Sequence, residues 1–213
     1  MFAKAIVLTA SVGLVLANGI PCQGADKPKP PPVTSASPET APSTKRVVGP
    51  LSPADAQALA TMNDRLKEYI DLHVKLERTL PALSKEATPQ EIDKRQRAFE
   101  ALMRSARATA KPGDIFTPQA SAVIKRLLVN VFDGPDGRQL KASIMDENPA
   151  GIVLTVNSRY PDSVPLSSVP PQVLQTLPKL TEDMEYRFVG DNLILLDMHA
   201  HVVADFISDA IPK

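Results

Sequence analysis

The sequence predicts an α+β domain, with helices first and a small antiparallel β-sheet last. Three observations predict it. Apolar residues recur at helical spacing from residue 53 to about residue 145, and at every second position from about residue 150 onward. Three Ser-Pro or Thr-Pro pairs mark helix starts along the first stretch. The strand-like stretches that follow are punctuated by Gly, Pro, Asn and Asp. A run of helices followed by a run of strands is the α+β pattern.

Ahead of this domain the chain reads as an export signal. Lys4 precedes the apolar run "AIVLTASVGLVLA", residues 5–17, and "NGIP" follows it. That order is the positive, apolar and polar sequence of a secretory leader. The run is shorter than the about 20 residues a membrane-spanning helix needs. Residues 1–24 are therefore read as a signal peptide, with cleavage after Gly24 and alternatives after Ala17 or Ala25. Cys22 offers a competing lipoprotein reading, but Pro21 beside the scissile bond fits a lipobox poorly. Cys22 is the sole cysteine, so cleavage leaves a periplasmic or secreted chain without thiol or disulfide.

Residues 25–51 form a proline-rich linker. Eight prolines between 26 and 53 and few apolar residues leave it too little surface to bury to offset its ordering entropy. The predicted domain is 52–213, helical over 52–148 and β-rich over 149–213.

Within it, Ser52-Pro53, Thr88-Pro89 and Thr117-Pro118 each place a capping oxygen before a proline at the first helical position. Asp55 and Glu91 add an acid three residues after the first two caps. In the first helix, predicted over 53–80, Leu59, Met62, Leu66, Tyr69, His73, Leu76 and Leu80 form a narrow seam. Ile92, Gln96, Phe99, Met103, Ala106 and Ala110 repeat that spacing, which predicts an antiparallel helical hairpin. His73 on the seam reads as a core histidine, with no second His or Cys at ligand spacing. A third helix follows Thr117, with Val123, Ile124, Leu127, Leu128 and Val131 inward. "DGPDG", residues 133–137, lacks the ligand series of a calcium loop and reads as a turn. A short fourth helix follows it, ending at Asn148-Pro149.

"GIVLTVNSRY" (151–160) reads as a strand, and "EYRFVG" with "NLILLDMHAHVVADFI" reads as a hairpin turning at Gly190-Asp191-Asn192. A proline-punctuated crossover carrying one short helix near 170–177 lies between them. In the last strand the even positions from Ile194 to Phe206 are apolar, which assigns them to the core. The other face then presents Asp197, His199 and His201 in a row, either as a wet face or as three donors for zinc, nickel or copper.

Charge gives little direction. Lys+Arg and Asp+Glu both number 24, so no net field favours nucleic acid. Lys94, Arg97, Arg104, Arg107 and Lys111 line the second helix on the face away from Phe99, as a solvated side or as a contact for an anionic envelope surface. No G-x-S-x-G, H-E-x-x-H or phosphate-cradling glycine loop is present.

Three stretches, "ATPQEIDKRQRAFEALMRSARATAKPGDIFTP", "YPDSVPLSSVPPQVLQTLP" and "MEYRFVGDNLILLDMHAHVVADFISDAIP", resemble a group of uncharacterised exported bacterial proteins. The likeness covers roughly residues 52–213 and implies architecture and export. At the positions of His199 and His201 that group looks to carry other residues, often Asn at the second, which counts against a histidine metal site shared with it. The closing hairpin is also similar to that of RcnB-type periplasmic proteins, which implies nickel or cobalt handling. These readings predict an exported periplasmic module, non-enzymatic, that binds an envelope protein or polymer. The alternatives are divalent-metal binding through the His199/His201 strand and, more distantly, a hydrolase.

Overall fold

The computed structural model describes residues 51–146 and 151–213. The export signal, Cys22 and most of the proline-rich linker lie outside the described residues, as does the predicted Asn148-Pro149 helix end. The helices are α1 (Pro53–Glu77), α2 (Pro89–Ala106), α3 (Pro118–Phe132), α4 (Gly137–Asp146) and the short α5 (Pro171–Leu174). They precede a three-stranded antiparallel sheet in the order β1 (Met184–Val189), β2 (Asn192–Asp197), β3 (Val202–Ile207). The class is α+β. Among the described residues no helix is long and apolar enough to cross a membrane.

The helix starts follow their caps. The Ser52, Thr88 and Thr117 hydroxyls accept from the amides of Asp55, Glu91 and Ala120, and Glu91 returns a bond to the Thr88 amide, closing a capping box. α1 stops at Glu77, short of the predicted residue 80, because the Pro81 ring would collide with the carbonyl four residues earlier. Its seam is realised: Met62, Leu66, Tyr69 and His73 are buried, with Leu59, Leu76 and Leu80 packed at the margin. The seam of α2 is shorter than predicted. Phe99 and Met103 are buried, Ile92 is exposed, and Ala110 falls beyond the helix end. α1 packs against α3 as well as α2, so the core is shared among three helices rather than zipped between two. Gly137 opens α4 so close to α3 that an added Cβ would lie 1.7 Å from the Phe132 carbonyl oxygen. Only glycine fits there.

The sheet corrects two expectations. First, 151–160 is no strand. Asn157 takes a positive φ of 65°, and the segment meets the sheet edge through an isolated bridge between Arg159 and Val202 and a bond from the Asn157 amide to the Val203 carbonyl. Second, "NLILLDMHAHVVADFI" is two strands. β1 and β2 join through the predicted turn, where Gly190 supplies φ 58°. β2 then ends at Asp197, the chain reverses through residues 198–201, and β3 returns beside it with Asp197 opposite Val202.

β2 is therefore the central strand, and both its faces are covered. Leu193 and Leu195 join the main core under the helices. Ile194 and Leu196 pack with Tyr160, Val189 and Val203 beneath the crossover segment. The predicted wet face, that of Leu193, Leu195 and Asp197, does not exist on β2, because the helices lie on it. A register shift between Leu195 and Leu196 makes a β-bulge at Ala204, whose carbonyl accepts from Arg107 at 3.0 Å.

Candidate metal centre

The last two turns of α1 aim two side chains at the sheet. His73 and Glu77 are four residues apart and therefore lie on one helix face. Opposite them is the turn between β2 and β3, which carries His199. One ligating atom each from His73, Glu77 and His199 lie within 4.8 Å of one another. The two imidazole centroids are 5.5 Å apart.

His73 is almost wholly buried, at 1% exposure, with the Phe99 ring edge-on at 4.8 Å. Its Nδ1 lies 2.7 Å from Asp197 Oδ2 and donates to that carboxylate. This orientation leaves Nε2 with its lone pair facing Glu77. Nε2 is 3.5 Å from Glu77 Oε2 and has no hydrogen-bond partner. A buried nitrogen with nothing to bond is costly in a folded chain. Burial alone would depress the His73 pKa, but the Asp197 hydrogen bond and charge, with Asp183 and Glu77 behind it, raise it.

Asp197 is the organiser. It is fully buried at the end of β2. Oδ2 takes both the His73 ring and the Tyr69 hydroxyl, the latter at 2.8 Å. Oδ1 accepts from the Ala200 amide at 2.8 Å and so closes the turn that presents His199. Burial, then the Asp197 charge, pushes the Tyr69 phenol well above its ordinary pKa, which keeps it a donor. One carboxylate thus fixes the ring on the helix and the loop on the sheet. A carboxylate behind a histidine is the usual support of a metal-bound imidazole.

Glu77 is held from the other side. Arg95 Nη1 donates to Oε1 at 3.0 Å, and Arg95 Nε donates to the Pro81 carbonyl at 3.1 Å. His199 Nδ1 lies 3.3 Å from Oε1 and 3.7 Å from Asp183 Oδ1. Burial opposes ionisation of Glu77, but Arg95 and His199 outweigh it and lower its pKa. A charged carboxylate and two imidazoles therefore share one half-open corner. His199 itself is 48% exposed.

Of the three donors predicted on one strand face, the structure keeps His199 in the corner, places Asp197 behind it as a hydrogen-bond acceptor, and removes His201. The reversal at 198–201 turns His201 toward Tyr160 and Asp162, with Nε2 3.5 Å from Asp162 Oδ1. His201 adopts φ 55°, a left-handed backbone that Asn accepts more readily than most residues. His201→Asn is therefore expected to leave metal affinity unchanged and to fold without loss of stability, measured by titration and thermal melting. His73, read as a core histidine, is buried as expected and also faces Glu77 and His199. The signal for it was available: His73 and Glu77 are an i, i+4 pair of donors.

The basic stripe is largely engaged within the domain. Arg97 meets Asp93 and Asp162, and Arg104 meets Glu100. Arg107 is not on the outer face: it stacks over Tyr69 at 4.8 Å and bonds Ala204. Arg159 ties this region together, reaching Glu100, Gln96 and Asp162.

These features define a surface corner built from two imidazoles and a carboxylate, backed by a buried aspartate. No protein-family model, no curated protein and no solved structure matches the chain.

Proposed function

We propose that this is an exported periplasmic protein that binds one divalent transition-metal ion through His73, Glu77 and His199. Partner binding, metal binding and, more distantly, a hydrolase are the readings left open by the sequence, and the geometry favours the second. The observation that carries it is His73 Nε2, buried, without a hydrogen-bond partner and 3.5 Å from Glu77 Oε2, while Asp197 holds the opposite ring nitrogen. Two imidazoles and one carboxylate suit zinc, nickel, cobalt or copper(II) rather than calcium or magnesium. They also disfavour copper(I), which prefers sulfur.

The test is calorimetric titration of the purified chain with Zn2+, and with Mg2+ as control. One equivalent of zinc is expected to bind and magnesium is not. His199→Ala, a change in a half-exposed turn, is expected to weaken zinc binding by at least about a hundredfold, since losing a ligand costs no less than losing a residue that supports one. A chain that takes up no zinc, or a His199→Ala variant that binds it as tightly, would overturn the reading.

A further inference from the structure

Whether such a site stores a metal or uses it turns on the fourth coordination position. Structural zinc sites are closed by four protein donors, whereas catalytic ones keep three and leave a place for water or substrate. The residue that decides this here is Asp183. It stands immediately before β1, and its backbone carbonyl accepts from the Met198 amide at 2.9 Å. That bond pins the Asp183 backbone across from the very turn that carries His199. Its carboxylate is 28% exposed and reaches His199 Nδ1 at 3.7 Å. Among the described residues it has no other side-chain partner: no lysine or arginine neutralises it, and no backbone amide bonds it.

A half-buried carboxylate placed beside a histidine and a second carboxylate, with no cation of its own, is electrostatically unfavourable in the metal-free chain. Glu77 is relieved by Arg95; Asp183 is not. A divalent ion in the corner would relieve it. The pairing distances also divide the labour. Glu77 Oε1 is occupied by Arg95, so Oε2 is the free oxygen on the His73 side, and Asp183 faces the His199 side.

We propose that Asp183 is the fourth ligand, closing a two-nitrogen, two-oxygen centre with His73, Glu77 and His199 that holds its ion without an exchangeable position. The proposal rests on the metal-binding reading above and deepens it. Its consequence is functional: a closed centre sequesters, senses or staples, and does not activate water for hydrolysis. The four donors come from α1, the residue before β1 and the β2–β3 turn, so the bound ion clasps the helix to the sheet.

Cobalt(II) makes the coordination visible, because its ligand-field absorption reports coordination number and changes when a further ligand enters. The purified chain is loaded with Co2+ and challenged with azide as a small anionic probe. The wild-type spectrum is expected to be tetrahedral and unmoved by azide. In Asp183→Ala, and in Asp183→Asn as the variant of conserved shape, the affinity for Co2+ is expected to fall about 10- to 100-fold. Azide is then expected to alter the spectrum. An unchanged affinity and spectrum in both variants would overturn the proposal, as would a wild-type response to azide as large as that of the variants. Either result leaves metal binding standing. A wild-type chain that binds no Co2+ would instead overturn both readings.

Discussion

Asp205→Ala is expected to destabilise the domain by about 3–5 kcal/mol, the scale of leaving several buried partners of a charged group unpaired. Asp205 is fully buried on β3. Its Oδ2 accepts from the amides of Ile115 and Phe116 at 2.7 and 2.8 Å, and its Oδ1 accepts from Gly113 and Phe206 at 3.0 and 2.8 Å. The first three amides belong to the loop that delivers the chain from α2 to α3. That loop bends at Gly113, with φ 91°, and ends at the Thr117 cap. Alanine would orphan these amides, open a small void, and release the loop from the sheet. A loss of this size is a large fraction of the about 5–15 kcal/mol that holds a domain together. Urea unfolding should show a lower midpoint with an unchanged slope, and the Ile115 and Phe116 amides should exchange with solvent far faster. Asp205→Asn keeps one acceptor and should fall between the two. A loss below about 1 kcal/mol in Asp205→Ala would show that the loop satisfies itself another way.

What could be read in the sequence, and what could not, divides along the distance over which each signal acts. The caps at Ser52, Thr88 and Thr117 act within three residues, and all three helices begin where they predict. The Gly190-Asp191 turn is equally local. The reversal at 198–201 was missed because alternation runs on through it: Met198 and Ala200 continue the apolar series, and no Gly or Pro interrupts. Its determinants are the Asp197 bond to the Ala200 amide and a left-handed His201, neither of which is a strong turn signal by residue type. The face read as wet is covered by the helices, with Tyr69 and His73 of α1 bonded to Asp197, which pattern alone does not reveal. Asp197 and Asp205 look like solvent-facing residues of a strand. They are instead buried acceptors for groups far away in sequence: Tyr69 and His73 for one, Gly113, Ile115 and Phe116 for the other.

Short loop and strand-end stretches supply much of this framework. "GDIFTP" brings the amides that Asp205 binds, and Ser167 of the crossover bonds both the carbonyl and the amide of Phe188. "LLD" ends in Asp197. Those segments therefore read as scaffold. Two of the four proposed ligands, Asp183 and His199, lie at or beside those segments in sequence, but only the folded chain brings all four together. His73 and Glu77 are legible as a pair on one helix, and His199 as a histidine near a carboxylate. Their meeting depends on a helix and a turn more than 120 residues apart, as the His73–Asp197 bond records with a separation of 124.

Asp197→Asn is expected to fold yet lose about 10- to 100-fold in metal affinity, the scale of removing a carboxylate behind a ligating histidine. The asparagine has one acceptor oxygen where the aspartate has two. If that oxygen stays on the Ala200 side to keep the turn, the amide nitrogen faces His73 Nδ1 and donates to it. The ring must then carry its proton on Nε2, the nitrogen needed for the metal, and it ceases to be a ligand. If the oxygen instead faces His73 and Tyr69, the amide nitrogen confronts the Ala200 amide, donor against donor, and the turn holding His199 loosens. Both arrangements damage one of the two histidines, so no rotamer rescues the site. The cost in stability is expected to be about 1–3 kcal/mol, one mismatched buried hydrogen-bonding group. Asp197→Ala, which also strands the Tyr69 hydroxyl, should cost more, about 3–5 kcal/mol. The decisive comparison is zinc titration of Asp197→Asn under conditions where denaturant curves show it fully folded. A purely structural aspartate would lower the unfolding midpoint and leave zinc affinity as it was. An aspartate that sets the His73 tautomer lowers the affinity in the folded state, whereas His201→Asn, four residues along the same turn, leaves it unchanged.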